Sequence, residues 1–140
     1  MIKQIMIAAI ILIASAVAQT DKPVITENDY AVINYSNQLV VDEAIKKDIL
    51  FDGPRRKIAQ LTLNDGKSLG SHTVTMPFMV YCVTGEWDLI LGENEKSVKL
   101  KPGKMVTVEA DIQHDVIAKP DISIVVIRFL NDNMIDWHIC

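Results

Sequence analysis

The stretch that decides the fold is GKSLGSHTVTMPFMVYCVTG, residues 66–85, followed after a short interval by GKMVTVEADIQHDVIA, residues 103–118. Each opens on a glycine, Gly66 or Gly103, and each carries one histidine, His72 or His114. Around them, short runs of Val, Ile and Leu are broken by turn formers. These are Asp52-Gly53-Pro54, Asn64-Asp65-Gly66, Gly85-Glu86, Gly92-Glu93-Asn94-Glu95, Pro102-Gly103 and Lys119-Pro120-Asp121. Gly, Asn and Asp accept left-handed backbone and Pro presets φ, so such clusters punctuate the chain. Short apolar runs at this spacing predict a sandwich or barrel, an all-β fold. The runs place strands at 47–51, 56–63, 78–84, 87–91, 97–100, 105–108, 114–118 and 122–130, and only Asp42 to Lys47 has a helical pattern.

Alternation assigns the faces. If Phe78 points inward, Val80 and Cys82 do too, while Met79, Tyr81 and Val83 point out. In the last strand Ile122, Ile124 and Val126 share one face, and Val125, Ile127 and Phe129 the other. Strands apolar on both faces are buried on both, so the outer surface is expected to be covered. Either a second copy of the chain covers it, making a homodimer, or residues 19–46 and the Ile135–Trp137 tail fold back over it.

The two glycine–histidine stretches resemble the paired motifs of the cupin family. The first family motif runs Gly, five residues, His-x-His, three or four residues, Glu, six residues, Gly. Gly66, His72 and Gly85 occupy its places, with Val74 at the second His and Phe78 at the Glu. The second runs Gly, five residues, Pro-x-Gly, two residues, His, three residues, Asn. Gly103 and His114 match it, while Glu109, Asp111 and Ala118 replace Pro, Gly and Asn. The resemblance implies a double-stranded β-helix, the antiparallel jelly-roll barrel, over residues 47–130. It also implies a pocket at one end lined by His72, Val74, Phe78, Val80, Cys82, Trp87 and His114.

The family's metal ligands are thus reduced to His72 and His114. Two imidazoles can anchor a divalent transition metal if a third group completes the shell, and catalytic sites usually supply three protein ligands. Cys82, Glu109, Gln113 and His138 are the candidates for a third. Without one, the pair is expected to hold a divalent ion weakly, or to serve as polar groups at the mouth of an apolar pocket. A Ser/His/Asp triad could be drawn from Ser71, His72 or His114, and Asp111 or Asp115, but no nucleophile elbow is expected around any Ser.

At the N-terminus, Lys3, the apolar run Ile5 to Ile13 and Ala16-Val17-Ala18 read as a cleavable signal peptide, residues 1–18. The apolar run is shorter than the roughly 20 residues that cross a bilayer. A secreted or periplasmic protein without a membrane anchor is expected. Residues 19–46 are an N-terminal extension packing on the barrel, and 131–140 a tail. The chain carries net charge −4, and the leader holds one Lys and no acidic residue. An acidic chain without clustered Lys and Arg has no nucleic-acid footprint. Arg55-Arg56-Lys57 follows a turn and reads as its solvated flank. Cys82 and Cys140 are expected as a buried and a terminal thiol rather than a bridge. Three functions follow: a small-molecule-binding protein, a metal-dependent dioxygenase or isomerase using His72 and His114, or a structural protein with a vestigial pocket. No catalytic residue can be assigned from the spacing.

Overall fold

The computed structural model describes residues 26–39 and 42–130. The chain divides into two compact units between Ala31 and Val32. In the first, the Asp29 carboxylate accepts hydrogen bonds from the Thr26 amide and hydroxyl at 2.6 and 2.8 Å, which hold its carboxyl below the ordinary range. Residues 1–18, read from the sequence as a signal peptide, and the 131–140 tail lie outside the described residues.

The described residues of the second unit form six antiparallel strands: β1 Ile45–Asp52, β2 Arg56–Leu63, β3 Phe78–Leu91, β4 Lys96–Leu100, β5 Met105–Val108 and β6 His114–Phe129. The hydrogen-bonded order is β1-β2-β6-β3-β4, with β5 also on β3. β3 and β6, at 14 and 16 residues, are the longest of these and pair along their whole length, from Phe78↔Arg128 to Leu91↔His114. Their register shifts at Cys82/Thr84 and at Gly85/Glu86. These bulges divide the long pair into two halves. β1, β2 and β5 extend the half containing Phe78–Cys82, and β4 extends the half containing Trp87–Leu91.

The second half is completed by the loop after β2. Gly66, Leu69 and His72 donate backbone bonds to the carbonyls of Pro120, Val116 and His114, and Ala118 and His114 donate back to Lys67 and His72. The loop therefore lies along β6 as an extra ribbon. Side chains from both halves meet in one core: Leu63, Phe78, Val80, Cys82, Trp87, Leu89, Leu100, Val116, Ile122 and Ile124 are all at most 4% exposed. A two-layer β structure wound this way from long bent strands is the jelly-roll barrel.

The structure corrects the sequence reading in two respects. Asp42–Ala44 form a bend and Ile45–Lys47 already belong to β1, so no helix forms over 42–47. The alternating Ile45, Lys47 and Ile49 pair with Leu63, Leu61 and Ala59, and this pairing overrides a weak local helical pattern. Gly85-Glu86 and Lys119-Pro120-Asp121 are not chain reversals but bulges inside β3 and β6. Gly85 has φ +81°, and a Cβ there would collide with the Asp121 carbonyl oxygen. Only glycine permits that close approach where the two long strands bend.

Candidate functional site

His72 and His114 exchange both backbone hydrogen bonds across the ribbon, His72 N to His114 O at 2.9 Å and His114 N to His72 O at 2.8 Å. The closely paired backbones bring the imidazoles to a centroid separation of 4.3 Å. Phe78 packs against His114 at 4.6 Å. The same local device orients both rings. His72 Nδ1 lies 2.7 Å from the Gly70 carbonyl and His114 Nδ1 lies 2.8 Å from that of Ile112, each two residues earlier. A carbonyl has no proton to give, so each Nδ1 must carry the hydrogen. A ring in its neutral form then presents Nε2 as a lone pair, and neither Nε2 has a hydrogen-bond partner among the described residues.

His114 is 5% exposed, and burial depresses its pKa, helped by the neighbouring His72. The Ile112 carbonyl and the Asp115 charge oppose that shift without cancelling it. His114 is therefore poised as a neutral acceptor at pH 7.

The pair faces a cavity of about 400 Å³ between the two halves of the barrel. Ala59, Leu61, Val80, Ile124 and Val126 supply one wall, and Leu69, Val74 and Val116 the other, with Phe78 between them. Three cations, Lys47, Lys57 and Arg128, line it as well, and no Asp or Glu among the described residues does. Lys57 pairs with Asp52 at 3.0 Å outside the cavity.

His72, Val74, Phe78, Val80 and His114, expected on the pocket wall, are brought together on this cavity. Cys82 and Trp87 are not. Both are buried in the core, at 0% and 1% exposure. Cys82 falls at the register shift before Gly85, where its sulfur contacts the carbonyls of Thr84 and Gly85. Burial raises its thiol pKa, against the opposing effect of the Trp87 indole. The three cations were missed, although a signal was present. Alternation places Arg128 on the face of Ile124 and Val126, and Lys57 on that of Ala59 and Leu61.

The described residues alone do not complete the shell of a resident catalytic metal. Among the described residues, no group of three His, Cys, Asp or Glu side chains could hold an ion. Val74 and Phe78 stand beside the imidazoles as hydrocarbon. Gln113 donates to the Ser71 hydroxyl at 2.7 Å, and Cys82 is in the core. His138 lies outside the described residues.

Nucleophilic catalysis is equally unsupported. Gly66-Lys67-Ser68-Leu69-Gly70 has the Gly-x-Ser-x-Gly spacing, but no helix follows it as a nucleophile elbow requires. Its Ser68 hydroxyl donates to the Asp115 carboxylate at 2.6 Å rather than to an imidazole.

No protein-family model matches the sequence, and no curated protein matches it. Solved structures do match the fold. A cupin superfamily protein from Desulfitobacterium hafniense superposes with TM-score 0.61 at 16% identity, covering 67% of this chain and 84% of its own. An RmlC-like cupin from Shewanella frigidimarina gives 0.60 at 12% identity, covering 74% and 95%. A conserved protein of unknown function from Streptococcus pyogenes gives 0.63 at 15%, covering 76% and 100%. The architecture is that of a small cupin domain.

Proposed function

We propose that this chain is an exported small-molecule-binding cupin whose ligand occupies the cavity beside His72 and His114. The observation that carries the reading is the cavity itself. It has about 400 Å³ of apolar-walled space into which two oriented imidazoles present unsatisfied acceptors. Ligand sites generally combine such a wall with a few fixed polar groups. The alternative, a metal-dependent enzyme using His72 and His114, gains support from their orientation alone. Metal-bound histidines commonly have the other nitrogen held by a carbonyl. The lack of a third donor among the described residues weighs against it. Export rests on the Lys3, Ile5–Ile13 and Ala16-Val17-Ala18 pattern.

The test is a thermal-shift and ligand-observed NMR screen of the purified protein against small organic compounds, repeated on Val126→Trp. Bulk introduced on the cavity wall is expected to abolish binding of every hit while leaving the His pair in place. Hits that bind Val126→Trp as tightly as the parent would place the site elsewhere and overturn the reading.

A further inference from the structure

The charge lining the cavity narrows the ligand's chemistry. We propose that the ligand is an organic oxyanion with an apolar body and a hydroxyl or N–H donor, its acidic group held by Arg128, Lys57 and Lys47 and its donor by the imidazoles. The inference rests on the binding reading above and deepens it.

Three observations carry it. Lys57 and Arg128 are direct cross-strand partners, Lys57↔Arg128, on the inward face of β2 and β6. Like charges placed opposite one another on a sheet repel. An anion between them removes that cost and gains charge-assisted bonds, in the bidentate geometry that a guanidinium suits. Asp52 answers Lys57, but among the described residues Arg128 and Lys47 have no anionic partner, and no carboxylate lines the cavity.

The fold also brings the two polar ends within reach of one small molecule. β6 bends at Lys119–Asp121, so His114 before the bend and Arg128 after it return to the same end of the barrel. Phe78 joins them, pairing with Arg128 in register and packing on the His114 ring.

The tautomers supply the third constraint. With Nδ1–H committed to the Gly70 and Ile112 carbonyls, the Nε2 atom of a neutral ring can only accept. It calls for a donor on the ligand, not a second anionic oxygen. Between these ends the wall is Ala59, Leu61, Val80, Ile124 and Val126, suited to a ring or a short alkyl chain.

The experiment compares matched probes on the protein expressed from its full coding sequence. The probes are 4-hydroxyphenylacetate, its neutral amide, phenylacetate, and 4-hydroxybenzylphosphonate, titrated by calorimetry or NMR. The acid is expected to bind about tenfold or more tightly than the amide, because only the acid forms charge-assisted bonds. Added salt should weaken the acid and not the amide. Phenylacetate, lacking the donor, should bind severalfold more weakly than the hydroxy acid. The phosphonate arm tells whether a carboxylate or a phosphate-like head is preferred; either ranking is consistent with the oxyanion. The double variant Lys47→Gln/Arg128→Gln should lose the acid-over-amide preference while melting like the parent.

Equal binding of acid and amide, or a preference that survives in the double variant, overturns the oxyanion assignment and leaves the cavity as a neutral-ligand site. If no probe binds, the amide included, and Val126→Trp also changes no hit from the screen, the binding reading falls with it.

Discussion

At the scale of the residue, a single arrangement governs the site: an imidazole whose Nδ1 is turned back onto the carbonyl two residues earlier. It occurs twice, at His72 with Gly70 and at His114 with Ile112. The folded protein favours the neutral form of His114, because burial disfavours its charge. Above the ordinary His pKa of about 6.5 both folded and unfolded chains carry it neutral, and it has no pH-dependent effect. Below that value the unfolded chain takes up a proton that the folded chain resists, so stability falls with pH until the lowered pKa is passed. Thermal melts between pH 7.5 and 5 are expected to show this loss, and His114→Gln should flatten it. A slope unchanged in that variant would assign the effect to another group.

The same pair sets the expectation for metal. Two imidazoles beside Val74 and Phe78 leave a coordination shell underfilled, so Zn, Ni or Mn should bind weakly and below one ion per chain. Equilibrium dialysis finding one tightly held ion, lost in His72→Ala, would reverse this and favour the enzyme. The histidines were legible in the sequence because they keep their spacing from Gly66 and Gly103. The cations were not, because Lys47, Lys57 and Arg128 come from three strands. Their convergence depends on the register Lys57↔Arg128 and on β1 pairing beside β2, neither of which is a local property.

At the scale of the element, β3 and β6 define the architecture, and their bulges define the elements. Val, Ile and Leu between turn formers made the strand cores visible in the sequence, since β-branched side chains suit a pleated surface. What was hidden was continuity. A glycine with positive φ is needed both by a turn that reverses the chain and by a bulge that only bends it, so Gly85-Glu86 gives no local sign of which it is. The partner strand decides, and here Gly85 sits opposite Ile122 with its backbone against Asp121. This yields a paired prediction. Gly85→Ala combines an unfavourable φ with a backbone collision and should cost about 3 kcal/mol or more. Gly92→Ala has φ +70° but nothing within 4 Å of the added methyl, so it should cost only about 1 kcal/mol. Urea denaturation of both variants checks the difference, and equal losses would show that the close approach at Asp121 is not what demands glycine.

At the scale of the whole molecule, the outer face of the barrel needs a cover, and only part of one is evident. Gln60 on β2 is 5% exposed and binds Ser36 twice. It donates to the Ser36 carbonyl at 2.6 Å, accepts from the Ser36 amide at 2.9 Å, and also donates to the buried Ser123 hydroxyl. The segment before β1 is thus tied to the outward face of β2 and β6. Beside it, Ile58, Ile127 and Met79 form one outward cross-strand row that is only half-buried. Phe129 is 37% exposed and Met105 53%. The tied segment itself turns Val32, Tyr35 and Leu39 to solvent, at 80%, 49% and 37% exposure, so it extends the apolar surface rather than ending it. Each large apolar side chain gains about 1.5–3 kcal/mol on full burial, and contiguous apolar patches on a small domain tend to mark interfaces. The proposed cover is a second copy of the chain. Light scattering of the protein lacking residues 1–18 at micromolar concentration should give a dimer mass, and Phe129→Asp should halve it by placing a charge in the interface. A monomer mass that does not change with concentration would mean that the chain's own terminal segments supply the cover.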